Sequence, residues 1–256
     1  MVARHDLATD QRVRADLLEV RRATAFFARK LGELSDADLD APTRLEGWNR
    51  RHLVAHVGYN ARALCRLALW ANSGEPHPMY ASPDARDREI ARGATLQPHA
   101  LRHLFEHSAV SLDVEWRDSP DAAWRASVRT ATGREVPFSE TAWMRLRELW
   151  LHAIDLDNGA RWGDVPAPIA ERLLADIVGT WAARGERLGF VLSDPASGFS
   201  AGAPAPGAAS LIRIEGPLPA LLAWASGRGR ASETAGLEAR GIGEAPVRLP
   251  AAPRWL

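Results

Sequence analysis

Cysteine is almost missing from this chain. Cys65 stands alone among 256 residues, so no disulfide can close within it and a disulfide-stapled secreted scaffold is excluded. A surplus of either charge is missing too. Lys plus Arg and Asp plus Glu number 32 each, which leaves no basic excess for nucleic acid or an anionic membrane. No apolar run approaches the length that spans a bilayer. The opening residues, Met-Val-Ala-Arg-His-Asp-Leu, lack the apolar core of a signal peptide, so the expected location is the cytoplasm. Tyrosine is scarce where tryptophan is plentiful, and arginine greatly outnumbers lysine. A GC-rich coding sequence accounts for both biases, and neither carries functional weight.

What is present is helical periodicity, and the length is comfortable for two domains. From Arg12 to Leu34, Val13, Leu17, Val20, Thr24, Phe27 and Leu31 recur at three- and four-residue steps, the period of an amphipathic helix. Asn49 is placed to cap a second helix over about 50–72, which Gly74, Pro76 and Pro78 end. A short helix is expected after Ser82-Pro83, with Ser82 as its cap. A third long helix runs from near Pro98 to about Trp116. Between Trp124 and Val136 a hairpin is expected, turning at Thr132-Gly133. Ser139 is expected to cap a fourth long helix that reaches about Asp157. Four long helices with one extended connection predict a four-helix bundle.

Past Gly163-Asp164-Val165-Pro166 the pattern changes. A helix over 167–184 is followed by short β-like runs at 189–192 and 210–214, and by a helix over 218–226. The Gly-, Ala- and Pro-rich stretch 197–209 reads as a loop. The expected class is therefore α+β: a bundle over 1–162 and a small α/β domain over 163–256.

Two helices carry metal-ligating chemistry at helical spacing. The second presents His52 and His56 one turn apart, and the fourth presents Glu148 and His152 one turn apart. Side chains on facing helices of a bundle build metal sites in this way. Imidazole and carboxylate together suit zinc, iron or another first-row divalent ion, and three protein ligands leave a coordination position open for chemistry. Each pair alone also fits an ordinary helix-stabilising contact. The setting of Glu148 and His152, among Trp143, Leu146, Leu149, Trp150, Leu151 and Ile154, leaves little solvated surface, and a buried carboxylate needs a partner.

Spacing does not settle which histidine of the second helix ligates. His56 lies in the more apolar register; His52 follows Arg50-Arg51 near the helix start. Asn60, one turn after His56, is a candidate contact for a ligand or a metal-bound water. Asp155 is either a carboxylate orienting His152 or a solvated acid near the helix end. His103 and His107 form a further pair on the third helix, read as surface residues with His107 the better reserve ligand. Cys65 falls nine residues after His56, half a rotation away and roughly 13 Å along the axis, so it reads as a small core hydrophobe. Gly227-Arg228-Gly229-Arg230 reads on its own as a helix C-cap with a dipole-favoured cation.

Together these motifs resemble a known family. Leu45-Glu46-Gly47-Trp48, His52-Leu53-Val54-Ala55-His56-Val57, and Trp143-Met144-Arg145 through Glu148 and His152 to Leu156 are similar to the mycothiol-dependent maleylpyruvate isomerases, members of the DinB-like metal-binding bundles. The likeness continues through Tyr59-Asn60, Trp70-Ala71-Asn72, Met79-Tyr80, Gly227-Arg228-Gly229 and Pro253-Arg254-Trp255-Leu256. The resemblance implies zinc held by His56, Glu148 and His152, with mycothiol as thiol cofactor. It also implies a functional Arg228 that binds substrate carboxylate or cofactor, and a lesser anion contact at Arg86. The implied reaction turns maleylpyruvate into fumarylpyruvate by thiolate addition, bond rotation and elimination. A mycothiol S-transferase acting on other electrophiles, or a non-enzymatic metal- or thiol-sensing module, would use the same ligands.

Overall fold

The computed structural model describes residues 5–82, 84–184, 188–202, 210–241 and 245–255. The chain divides into two compact units, Met1–Ala160 and Arg161–Leu256.

The first unit is a four-helix bundle of α1 (Gln11–Gly32), α2 (Arg50–Ser73), α4 (Pro98–Arg117) and α6 (Glu140–Asp155). A shorter helix, α3 (Ala85–Ala94), fills the connection between α2 and α4. The periodic residues of α1 are its buried stripe, with Val13, Leu17, Val20, Phe27 and Leu31 inward, and Asp10 caps its start through the N–H groups of Arg12 and Val13. Asn49 caps α2 as the sequence predicts, its side chain accepting from His52 N. Ser139 does not cap α6: it has helical dihedrals and makes no side-chain bond to the first turn. Nor does the short helix start on Ser82; α3 begins at Ala85 after Asp84, and Pro83 lies outside the described residues. The expected hairpin forms after α5 (Asp121–Arg125), as β1 (Ser127–Arg129) antiparallel to β2 (Glu135–Pro137), with Gly133 at φ 83° in its turn.

The bundle is assembled from two helix pairs, α2 on α4 and α1 on α6. The metal-ligating candidates sit on α2 and α6, so they face each other across the seam between the pairs. Helix α3 lies close against α2, because Gly93 presents no side chain at the contact. A Cβ built there would meet Ala55 Cβ and Tyr59 Cε2 at 2.7 Å each. Gly93→Ala should destabilise the protein by about 1–3 kcal/mol through overpacking, measured as a lower urea midpoint at unchanged slope; an unshifted midpoint would show that α3 is free to move aside.

The second unit is a small α/β domain. Its five-stranded sheet runs in the order β4 (Phe199–Ala201), β3 (Leu188–Asp194), β5 (Ser210–Glu215), β6 (Glu238–Arg240), β7 (Pro246–Val247). Only β3 and β5 are parallel, in the register Phe190↔Ile212. Helices α7 (Ala167–Ala183) and α8 (Leu218–Ala225) pack together over an aromatic cluster of Trp181, Phe190 and Trp224. The stretch expected as one loop contains strand β4, and its remainder, 203–209, lies outside the described residues. Buried Asp194 at the end of β3 accepts from Leu218 N and so serves the first turn of α8. A last short helix, α9 (Ala231–Thr234), follows the Gly-Arg-Gly segment, which therefore ends α8 but not the helical part of the domain.

Candidate metal centre

Three donor atoms converge inside the bundle. His56 Nε2 lies 3.0 Å from Glu148 Oε2 and 3.1 Å from His152 Nε2, and the last two atoms are 3.0 Å apart. Among the described residues these three form the one cluster of histidine, cysteine or acidic side chains arranged to hold an ion. Both imidazoles are buried, at 5% and 7% exposure, and the glutamate side chain is 21% exposed.

The local sequence explains the placement. On α6, Glu148 and His152 are one turn apart and project inward together. On α2, His56 is carried on the enclosed face. The segment before α2 adds an aromatic wall: Trp48 N donates to Leu45 O in a turn whose Gly47 has φ 78°, which a side chain would resist. That turn sets the Trp48 ring edge-on to His56, with ring centroids 5.4 Å apart.

Tautomers follow from the surroundings. His152 Nδ1 is 2.9 Å from Asp155 Oδ2, and Asp155 is fully buried. The Nδ1–H is therefore donated to the carboxylate, and the Nε2 lone pair is left facing His56 and Glu148. Asp155 is thus the orienting acid and not the solvated one.

Two ring nitrogens and a carboxylate oxygen at 3.0–3.1 Å need a proton or a cation between them. Burial would raise the Glu148 carboxyl, yet hydrogen bonds from His152 and His56 hold it well below the usual range. Burial pulls His56 below its ordinary value and also works against His152. In His152 the bonds to Asp155 and Glu148 win and hold it above that value. The site thus keeps its glutamate anionic beside two imidazoles, of which only His152 is favoured in its charged form.

The donor set fits a divalent ion. Zinc bonds of about 2.0–2.2 Å in a tetrahedral arrangement place donor atoms about 3.3–3.5 Å apart, a few tenths more than seen here. Asp155→Asn, which keeps the shape and removes the charge behind His152, should lower zinc affinity about 10–100-fold; competition with a chromophoric chelator reads this directly.

The other candidate residues are placed as follows. His52 Nδ1 is taken up by Asn49 Oδ1 at 2.5 Å, outside the triad. Asn60 is buried, and its side-chain oxygen accepts from Arg145 at 2.9 Å. Arg86 stands in the first turn of α3, half-exposed and bonded to Asp87, close enough for its charge to contribute to lowering His56. His103 and His107 are exposed and line a groove of about 710 Å³ with His99, Tyr59 and Arg62, away from the triad. The Cys65 thiol is pushed up to about 11 by burial, which leaves it protonated and unreactive. Arg228 belongs to the second unit. Gly227 closes α8 at φ 71°, and Gly229 packs where a Cβ would meet the Ala223 backbone at 2.8 Å, so both neighbours of Arg228 are fixed by the fold. Its Nη1 donates to Ser226 O. Sequence reasoning passed over Trp48 and Arg145 as contributors to the site, although both lie in the quoted motifs.

Known proteins share this fold over nearly the whole chain. The profile of the mycothiol maleylpyruvate isomerase N-terminal domain matches residues 20–157. A crystal structure of a mycothiol-dependent maleylpyruvate isomerase superposes with a TM-score of 0.85 at 43% identity, covering 95% of this chain and 97% of the other. The crystal structure of a histidine-to-alanine variant of such an isomerase gives 0.84 and 42%, with the same coverage. Among curated protein sequences none matches significantly.

Proposed function

We propose that this chain, which belongs to the mycothiol maleylpyruvate isomerase family, is a zinc- and mycothiol-dependent isomerase that converts maleylpyruvate to fumarylpyruvate. The observation that carries the reading is the buried His56–Glu148–His152 triad with Asp155 behind it, in a chain 43% identical to such an isomerase over 95% of its length.

A cis double bond conjugated to carbonyl groups cannot rotate until its π-bond is broken. A bound zinc ion would supply a thiol cofactor held as thiolate at neutral pH, able to add to that bond and to leave after rotation. The protein's own residues divide the rest of the work. His56, Glu148 and His152 hold the ion, and Asp155 keeps the His152 lone pair turned to it. Trp48 walls the site against water on the α2 side. Arg86 stands nearby as a cation for a carboxylate of cofactor or substrate. Asn60, expected to touch a ligand directly, contributes through Arg145. Arg228 is assigned to a substrate carboxylate on the strength of the family resemblance, where it would steady the enolate formed on addition. Cys65, half-buried and protonated, takes no part.

No helix among the described residues is long and apolar enough to cross a membrane, and we assign the enzyme to the cytoplasm, where a thiol cofactor stays reduced. The test is turnover of maleylpyruvate by purified protein with mycothiol, with and without prior chelation. Turnover that needs both thiol and metal supports the assignment. A zinc-loaded protein that ignores maleylpyruvate but conjugates mycothiol to a haloarene would instead be an S-transferase. Arg228→Met should lower kcat/KM for maleylpyruvate by about 100-fold or more, as expected for loss of a charge-assisted contact worth about 3 kcal/mol, while zinc content stays at the parent level.

A further inference from the structure

Arg145 is the largest charged side chain in the core of the first unit, at 1% exposure. It lies three residues before Glu148 and seven before His152, on the same inward face of α6. Its Nη1 donates to two acceptors on α2, Val57 O at 2.7 Å and Asn60 Oδ1 at 2.9 Å. Val57 adjoins His56, and Asn60 stands one turn beyond it. These bonds therefore cross the seam between the helix pairs one turn away from the metal-ligating atoms. Both acceptors are neutral, and Nη2 has no hydrogen-bond partner among the described residues. Burial disfavours the charged guanidinium, and the charge of Glu148 works against that penalty.

Such a residue is hard to explain as packing. A buried cation without a bonded carboxylate is costly, and a methionine of similar length would fill the same space without a desolvation penalty. We propose that Arg145 is a positioning residue for the metal centre. It fixes the His56 segment of α2 against the Glu148 segment of α6 through its bonds to Val57 O and Asn60 Oδ1. This inference rests on the metal reading of the triad.

The test compares the zinc affinity of parent, Arg145→Met, Arg145→Lys and Asn60→Ala, by competition with a chromophoric chelator and alongside thermal melts. If Arg145 positions the site, Arg145→Met should lose affinity about 10–100-fold, as other residues that orient metal ligands do. Arg145→Lys, which keeps the charge and can reach one acceptor, should recover part of that loss. Asn60→Ala should give an intermediate loss, and combining it with Arg145→Met should add little, since both act through one bond. A folded Arg145→Met protein with parental zinc affinity would overturn the proposal, whatever its melting temperature. If that variant does not fold, parental affinity in both Arg145→Lys and Asn60→Ala overturns it equally. A parent protein that takes up no zinc would sink the metal reading itself, an outcome distinct from a parent that binds zinc and variants that match it.

Discussion

Replacing His152 with alanine is expected to strip the protein of metal and to reduce mycothiol-dependent isomerisation by three or more orders of magnitude. The loss corresponds to about 4 kcal/mol of transition-state stabilisation. Three effects combine in that one change. One of the three candidate ligands is removed, which leaves His56 Nε2 and Glu148 Oε2 as the donors of the cluster among the described residues. The bond from Nδ1 to Asp155 is broken, so a fully buried carboxylate loses one of its hydrogen bonds. The bond that helps to hold Glu148 anionic goes as well. Inductively coupled plasma mass spectrometry of the purified variant, beside a progress curve with maleylpyruvate, measures both outcomes. A variant that turns over substrate at the parental rate without metal would leave the triad as a structural hydrogen-bond cluster and nothing more.

The second large effect is expected in the other unit. Trp181 is 2% exposed and packs on Phe190 and Trp224, with ring centroids at 5.4 and 5.7 Å. Trp181→Ala should destabilise that unit by about 3–5 kcal/mol, the usual result of emptying an aromatic core position. For a domain whose sheet is held by short strands, that is a large part of the whole stability. Hydrogen exchange should show it as lost protection in β3 and β5, while protection in α2 and α6 and the zinc content stay at parental values. Should exchange quicken equally in both units, they fold as one cooperative body, and the division at Ala160 is only geometric.

The bundle was legible because its helices are amphipathic and locally coded. The stripe of α1 and the cap at Asn49 follow from residue types at fixed offsets. The candidate ligands were legible only in part for that reason: Glu148 and His152 stand one turn apart in an apolar register, but spacing left His52 and His56 open, and the family resemblance chose His56. What the periodicity could not show is how side chains are shared across helices. Ser139 has the chemistry of a cap, but the β2 strand delivers the chain to α6 already helical. Asn60 has the right register to face a ligand, but a buried guanidinium takes its oxygen. Arg145 itself looks like any helical arginine until the fold encloses it. The second unit is less legible in the sequence. Strands of two or three residues, such as β6 and β7, carry too few alternations for a period to emerge, and β4 lies in a stretch whose Gly and Pro content reads as loop.

The position of the triad has a consequence for how the protein is handled. Its donors come from residues 56, 148 and 152, so a bound ion ties together points 92 and 96 residues apart in the chain. Such an ion is a removable cross-link closing a long loop, and it fastens the α2–α4 pair to the α1–α6 pair. Metal loading and thermal resistance should therefore rise together. Protein prepared in the presence of chelator would be weakened along that one join, even though every hydrophobic contact within the pairs remained in place.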